Sequence, residues 1–223
     1  MAGGAAMSMM WTPMPGQSWA GAMASFVAMW TVMMVAMMLP SLVPMLTRYR
    51  QAIDTSRRAL LDVLTMVVAA GYFAVWSALG VVVFPLGAVL AETEMRLPAL
   101  SRALPIATGA IVLLAGVVQL TRWKAGHLTW GREASAHVRM TSADVGTAWR
   151  HGVCLGIHCS SCCAALTASF LALGVMDLRV MAVVTAAITA ERLAPAGARV
   201  ARAIGIVGIV AGTLLIARAV GAG

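Results

Sequence analysis

The stretch His151–Met176 constrains this chain more than any other. HGVCLGIHCSSCCAALTASFLALGVM is long and apolar enough to cross a lipid bilayer, yet it holds all four cysteines of the protein, Cys154, Cys159, Cys162 and Cys163, and sets His158 beside them. A hydrocarbon core is ~30 Å thick and takes about 20 apolar residues in helical form to cross. Inside it, backbone groups must be satisfied within the segment, which leaves a helix as the form for such a run. Polar side chains at that depth are costly, so they turn to the bundle interior and mark a site. With 61% apolar and 11% charged residues, the rest of the chain fits the same reading and excludes an ordinary soluble domain. The expected fold is all-α, a polytopic transmembrane helix bundle of about six spans.

Two regions are expected: residues 1–18, a short uncharged segment with Met7, Met9, Met10 and Met14, and residues 19–220, a single transmembrane helical domain. Span 1 runs from about Trp19 to Leu46, with Pro40 and Pro44 placed to kink or end it. Span 2 covers about Leu60 to Leu90, broken by Gly71, Gly80 and Pro85. A loop with Glu92, Glu94, Arg96 and Arg102 leads to span 3, about Leu104 to Thr121. The longest loop, 122–150, precedes span 4, the opening stretch. A turn at Asp177 leads to span 5, and span 6 is roughly Ala203 to Ala217. Span 5 has only eleven residues, Val180–Ala190, before Glu191 and Arg192. At helical rise that is roughly 16 Å, about half of the core. Either it is a half-span, giving five full crossings, or it continues to about Ala198 with Glu191 and Arg192 inside the bundle.

Lys and Arg collect in loops on the cytoplasmic side. Loops one, three and five hold Arg48, Arg50, Arg57, Arg58, Arg122, Lys124, Arg132, Arg139, Arg150, Arg192, Arg199 and Arg202, against Arg96, Arg102, Arg179 and Arg218 on the other side. That imbalance puts the 122–150 loop in the cytoplasm and both termini outside a multi-pass cell membrane, with lipid as the surrounding partner. It also accounts for the net charge of +8 without nucleic acid, since no basic stripe with interleaved aromatics is present.

Ligand chemistry is concentrated on two spans. Met29, Met33 and Met37 recur at i, i+4, i+8, with Met34 and Met38 as a second i, i+4 pair, so one broad face of span 1 is lined with thioethers. Cys159 shares a helix face with Cys162 at i+3 and Cys163 at i+4, while Cys154 and His158 lie one stripe over. Counted from Arg48, Met37 and Met38 lie roughly 15–17 Å deep; counted from Arg150, His158 and Cys159 lie about 12–14 Å deep and Cys162 and Cys163 roughly 18–20 Å. If span 5 extends to Arg199, Glu191 falls near 12 Å. One layer therefore gathers Met33, Met34, Met37, Met38, His158, Cys159, Cys162, Cys163 and Glu191 as candidate metal ligands. Thiolate, thioether and imidazole suit Cu(I), and thiolate with imidazole suits zinc. The abundance of methionine, 17 residues mostly in the first fifty positions, favours copper. Packing is the competing role for each Met, and for Cys154 in particular.

MWTVMMVAMMLPSLVPM, GYFAVWSALG, the Gln119-x4-Lys124 segment, CLGIHCSSCCAALTASFLALGVMDLRVMAV and ITAERLAPAG together resemble the predicted metal-binding integral membrane proteins, a family of undefined function. The resemblance covers most of Met29 to Gly197. It implies that the family's Met run corresponds to Met29, Met33, Met34, Met37 and Met38, its cysteine pair to Cys162 and Cys163, and its glutamate to Glu191. The chain departs from the family where Lys124-Ala-Gly-His127-Leu128 lacks a cysteine, and where Ala164 follows the cysteine pair in place of an aromatic.

Three functions are compatible with this layout. A copper-handling protein would bind Cu(I) and pass it to a copper-dependent membrane or external enzyme, or exchange it with a metallochaperone. A membrane thiol–disulfide oxidoreductase would use Cys159 and Cys162, but no second cysteine pair stands elsewhere in the chain. An ion-coupled permease would use His158 and Glu191. The first reading is preferred, and it makes the protein a binder rather than an enzyme.

Overall fold

A computed structural model describes residues 11, 16–53, 58–126, 144–175 and 177–221. Outside these lie Met7, Met9, Met10 and Met14, Arg57, and most of the 122–150 loop with His127, His137, Arg132 and Arg139. Six long helices stand where six spans are expected: α1 Trp19–Ala52, α2 Arg58–Arg96, α3 Pro98–Gln119, α4 Val145–Leu173, α5 Leu178–Leu193 and α6 Gly197–Gly221. No strand occurs among the described residues. α1, α2, α4 and α6 are each long and apolar enough to cross a membrane; within α3, Ala103–Gln119 is a shorter apolar stretch.

Local chemistry sets the helix starts. Ser18 Oγ accepts from the Gly21 amide at 3.1 Å, Asp144 Oδ2 from the Thr147 amide at 3.1 Å, and Asp177 Oδ1 from the Arg179 amide at 2.8 Å. Each satisfies a donor that the first helical turn leaves free. Pro98 opens α3, where its missing N–H costs nothing. α4 ends at Gly174, whose φ of +127° is open to glycine and strained for other residues.

The elements differ from expectation in continuity. α1 does not end at its prolines: Pro40 and Pro44 are accommodated in a single helix, and Ser41 Oγ bonds the Met38 carbonyl at 2.9 Å beside them. α2 is unbroken over 39 residues and absorbs the expected loop at Glu92 to Arg96, which pair at 2.5 Å across one turn. Gly71 and Gly80 do not interrupt it because they seat neighbours. A Cβ at Gly71 would lie 2.8 Å from the Trp149 carbonyl oxygen of α4, and one at Gly80 would lie 2.6 Å from the Trp30 indole of α1. α5 stops at Leu193, short of Ala198, and has 16 residues, about 24 Å of helix. Glu191 is nevertheless buried and Arg192 half-buried, so the segment turns both charges inward without extending.

Small residues decide which helices meet. α3 lies on α6 through backbone contact: a Cβ at Gly116 would sit 2.7 Å from the Gly205 carbonyl oxygen, and one at Gly205 would sit 2.8 Å from the Gly116 carbonyl oxygen. Such glycine contacts let helix backbones approach closely. Gly152 and Gly156 of α4 press on the Val68 and Tyr72 carbonyls of α2 in the same way. α1 packs against α2 and α5, and α2 against α4. The core between them holds Trp30, Tyr72, Trp76, Phe170 and Ile188, with Trp30 Nε1 donating to the Trp76 carbonyl at 2.8 Å.

Candidate metal centre

Sulfur is concentrated in that core. α1 contributes Met34, Met37 and Met38, each no more than 1% exposed; α4 contributes Cys159, Cys162 and Cys163, at most 4% exposed. All six belong to one contiguous buried cluster, and Met29 and Met33 pack on it from the side, partly exposed. Cys159 and Cys163 Sγ lie 3.9 Å apart, and all four cysteines are free thiols. The i, i+3, i+4 spacing thus turns three cysteines inward together, while Cys154 stands exposed on the next stripe. Among the described residues, no three side chains drawn from His, Cys, Asp and Glu form a cluster fit to hold a metal ion on their own.

Two hydrogen-bond donors face the Cys159 sulfur. Tyr72 Oη donates at 2.9 Å from α2, and Arg192 Nη1 donates from α5 at 2.5 Å. The other guanidinium nitrogen, Nη2, reaches Met45 Sδ on α1 at 3.4 Å. A single arginine therefore touches sulfur on two helices and sets a positive charge against the thiol layer. The Gly156–Tyr72 contact fixes this arrangement, because it draws α4 onto α2 one turn away from Cys159.

A second polar group lies at the same level. Lys124 Nζ and Glu191 Oε2 pair at 2.8 Å with both side chains 1% exposed. Gln119 Nε2 donates to the other carboxylate oxygen of Glu191, and Lys124 Nζ also donates to the Cys162 carbonyl at 2.6 Å. Glu191 thus partners Lys124 and Gln119 rather than its neighbour Arg192. Two charges removed from water are tolerable only when paired and hydrogen-bonded in this manner. The linkage ties the end of α3 and the helical residues 122–126 that follow it to α4 and α5.

Tyr72, Lys124, Gln119 and Arg192 are the polar residues that ligand-based reasoning from the sequence passes over. Each lies within a segment that carries the family resemblance, which was the available signal; helical spacing alone does not reveal cross-helix partners.

His158 is 8% exposed and lies at the edge of the thiol layer. It lines an open groove of about 850 Å³ on the outer side of α4, together with Arg122, Trp123, Trp149, Arg150 and Cys154.

The fold and the buried layer define a sulfur-cored, all-helical bundle. Residues 27–215 match the family model PpoB2, described as a copper chaperone. The chain belongs to this copper chaperone family, and the match runs from Val27 in α1 to Leu215 in α6. No curated protein and no solved structure matches the chain.

Proposed function

We propose that this protein is an integral membrane Cu(I) chaperone that holds the ion between α1 and α4 and hands it to a copper-dependent enzyme of the membrane or its outer face. The observation that carries the reading is the joint burial of Met34, Met37 and Met38 with Cys159, Cys162 and Cys163 in one cluster of a chain from a copper chaperone family. Thioether and thiolate sulfur are soft ligands that suit Cu(I). With no self-sufficient set of three among Cys, His, Asp and Glu in the described residues, thioethers complete the ligand set, and zinc, which seldom takes them, is the less suited ion. Met33 stands at the rim of this set. Four helices of crossing length support insertion in a membrane, and the Lys and Arg balance of the loops favours the cell membrane with the basic loops inside and both termini outside.

Glu191 supports the site without ligating. Both of its oxygens are engaged, so its part is to hold Lys124, which in turn fixes the Cys162 carbonyl. Elemental analysis of full-length protein, purified anaerobically with its native lipids after growth with copper, tests the proposal. Copper is expected in the wild type, and its loss is expected in Cys162→Ser/Cys163→Ser and in Met34→Leu/Met37→Leu/Met38→Leu. A wild-type protein free of copper, or sulfur variants that retain all of it, would overturn the reading.

A further inference from the structure

We infer that Cys154 and His158 form a second Cu(I) site on the groove side of α4, an exchange port through which copper enters or leaves the buried layer. This rests on the copper reading above. Cys154 and His158 are four residues apart on one helix, so their side chains lie over the same patch of its surface. Both line the groove. Cys154 is exposed on the protein surface about one turn from Arg150, whereas Cys159, Cys162 and Cys163 are buried, so of the four thiols it is the one nearest a copper carrier at the membrane edge. His158 adjoins Cys159 in sequence and is itself nine-tenths buried, and it stands between the groove stripe of α4 and the core stripe.

A thiolate sulfur and an imidazole nitrogen make a ligand pair suited to Cu(I). Two ligands hold the ion less firmly than a fuller sulfur set and leave it open to attack by a third, which is the property an exchange site needs. The step is ligand substitution without electron transfer. Cu(I) keeps its oxidation state, the Cys154 thiol gives up its proton when the ion binds and regains it when the ion leaves, and a core sulfur takes the vacated position. Arg122 and Arg150 line the same groove, and its described lining residues include no acidic side chain. The groove therefore favours anionic carriers of Cu(I).

The probe is bathocuproine disulfonate, a water-soluble, anionic Cu(I) chelator. Full-length protein in lipid nanodiscs, loaded with Cu(I), is mixed with the chelator and both the rate and the total copper released are followed. In Cys154→Ala, an exposed position where folding is not at risk, total core copper is expected to stay at the wild-type level while release slows by about tenfold or more, the lower end of what altered metal surroundings cost. In His158→Gln the same slowing is expected. A water-soluble maleimide should modify Cys154 in the metal-free wild type, and Cu(I) should protect it there but not in His158→Gln. Wild-type release rates in Cys154→Ala, or unprotected Cys154 in copper-loaded wild type, would overturn the port and leave the copper reading standing. A wild type that binds no copper removes both, so the two failures are distinguishable.

Discussion

Removing one charge of the Lys124–Glu191 pair gives the sharpest test of how this core is held. Both side chains are 1% exposed and their atoms meet at 2.8 Å. Lys124→Met leaves the Glu191 carboxylate buried with only Gln119 as a partner, and Glu191→Gln leaves the ammonium with the Cys162 carbonyl. Stranding one member of a buried pair costs about 3–5 kcal/mol. For a chain of this size that is a fall in Tm of roughly 6–20 °C. The double variant Lys124→Met/Glu191→Gln strands neither charge, so it is expected to recover most of the loss and stand within about 2 kcal/mol of wild type. The assay is reversible denaturant unfolding in mixed micelles, completed as a double-variant cycle so that the coupling between the two sites is read directly. Single variants that each lose less than about 1 kcal/mol, or a double variant whose loss equals the two singles added, would refute the claim that the pair ties α5 to the helical residues 122–126 after α3.

Tyr72→Phe removes one of the two donors to the Cys159 sulfur; it is expected to weaken Cu(I) affinity by about 10–100-fold with the bound equivalents unchanged, measured by chelator competition. Gly205→Leu drives a side chain against the Gly116 carbonyl and is expected to lose at least about 1–3 kcal/mol or fail to give a monodisperse protein, whereas Gly221→Leu, with open space around it, is expected to behave as wild type in the same size-exclusion profile. Asp177→Ala deletes the cap of α5 and should cost about 1 kcal/mol in the unfolding assay.

Much of the helix pattern was legible in the sequence, because apolar run length and helical spacing are properties of single segments. The same is true of the three inward cysteines, whereas helical spacing joined Met29 and Met33 to the face of Met34, Met37 and Met38 and did not show that the first two would lie at its partly exposed edge. What those rules cannot supply is the partner across a helix boundary. Gly71 and Gly80 read as breaks in α2 until Trp149 and Trp30 are seen pressed against them. Glu191 and Arg192 are neighbours in sequence, yet consecutive residues on a helix point about 100° apart and so meet different surroundings. Glu191 meets Lys124 and Gln119, and Arg192 meets sulfur. The reach of span 5 stayed open between a half-span and a longer helix for a related reason: the hydropathy of a short helix does not say whether its terminal charges find partners in the bundle.

α1 and α4 each rest on α2, and among the described residues few backbone positions of α1 and α4 approach one another directly. The methionine helix and the cysteine helix thus face each other across a seam filled by side chains, and Arg192 lies along it with one nitrogen on Met45 and another on Cys159. A seam of this kind can widen or narrow by a small rotation of α1 without breaking a glycine contact between backbones. Any such movement would have to stretch the contacts of Arg192, because its guanidinium bonds sulfur on both sides of the seam.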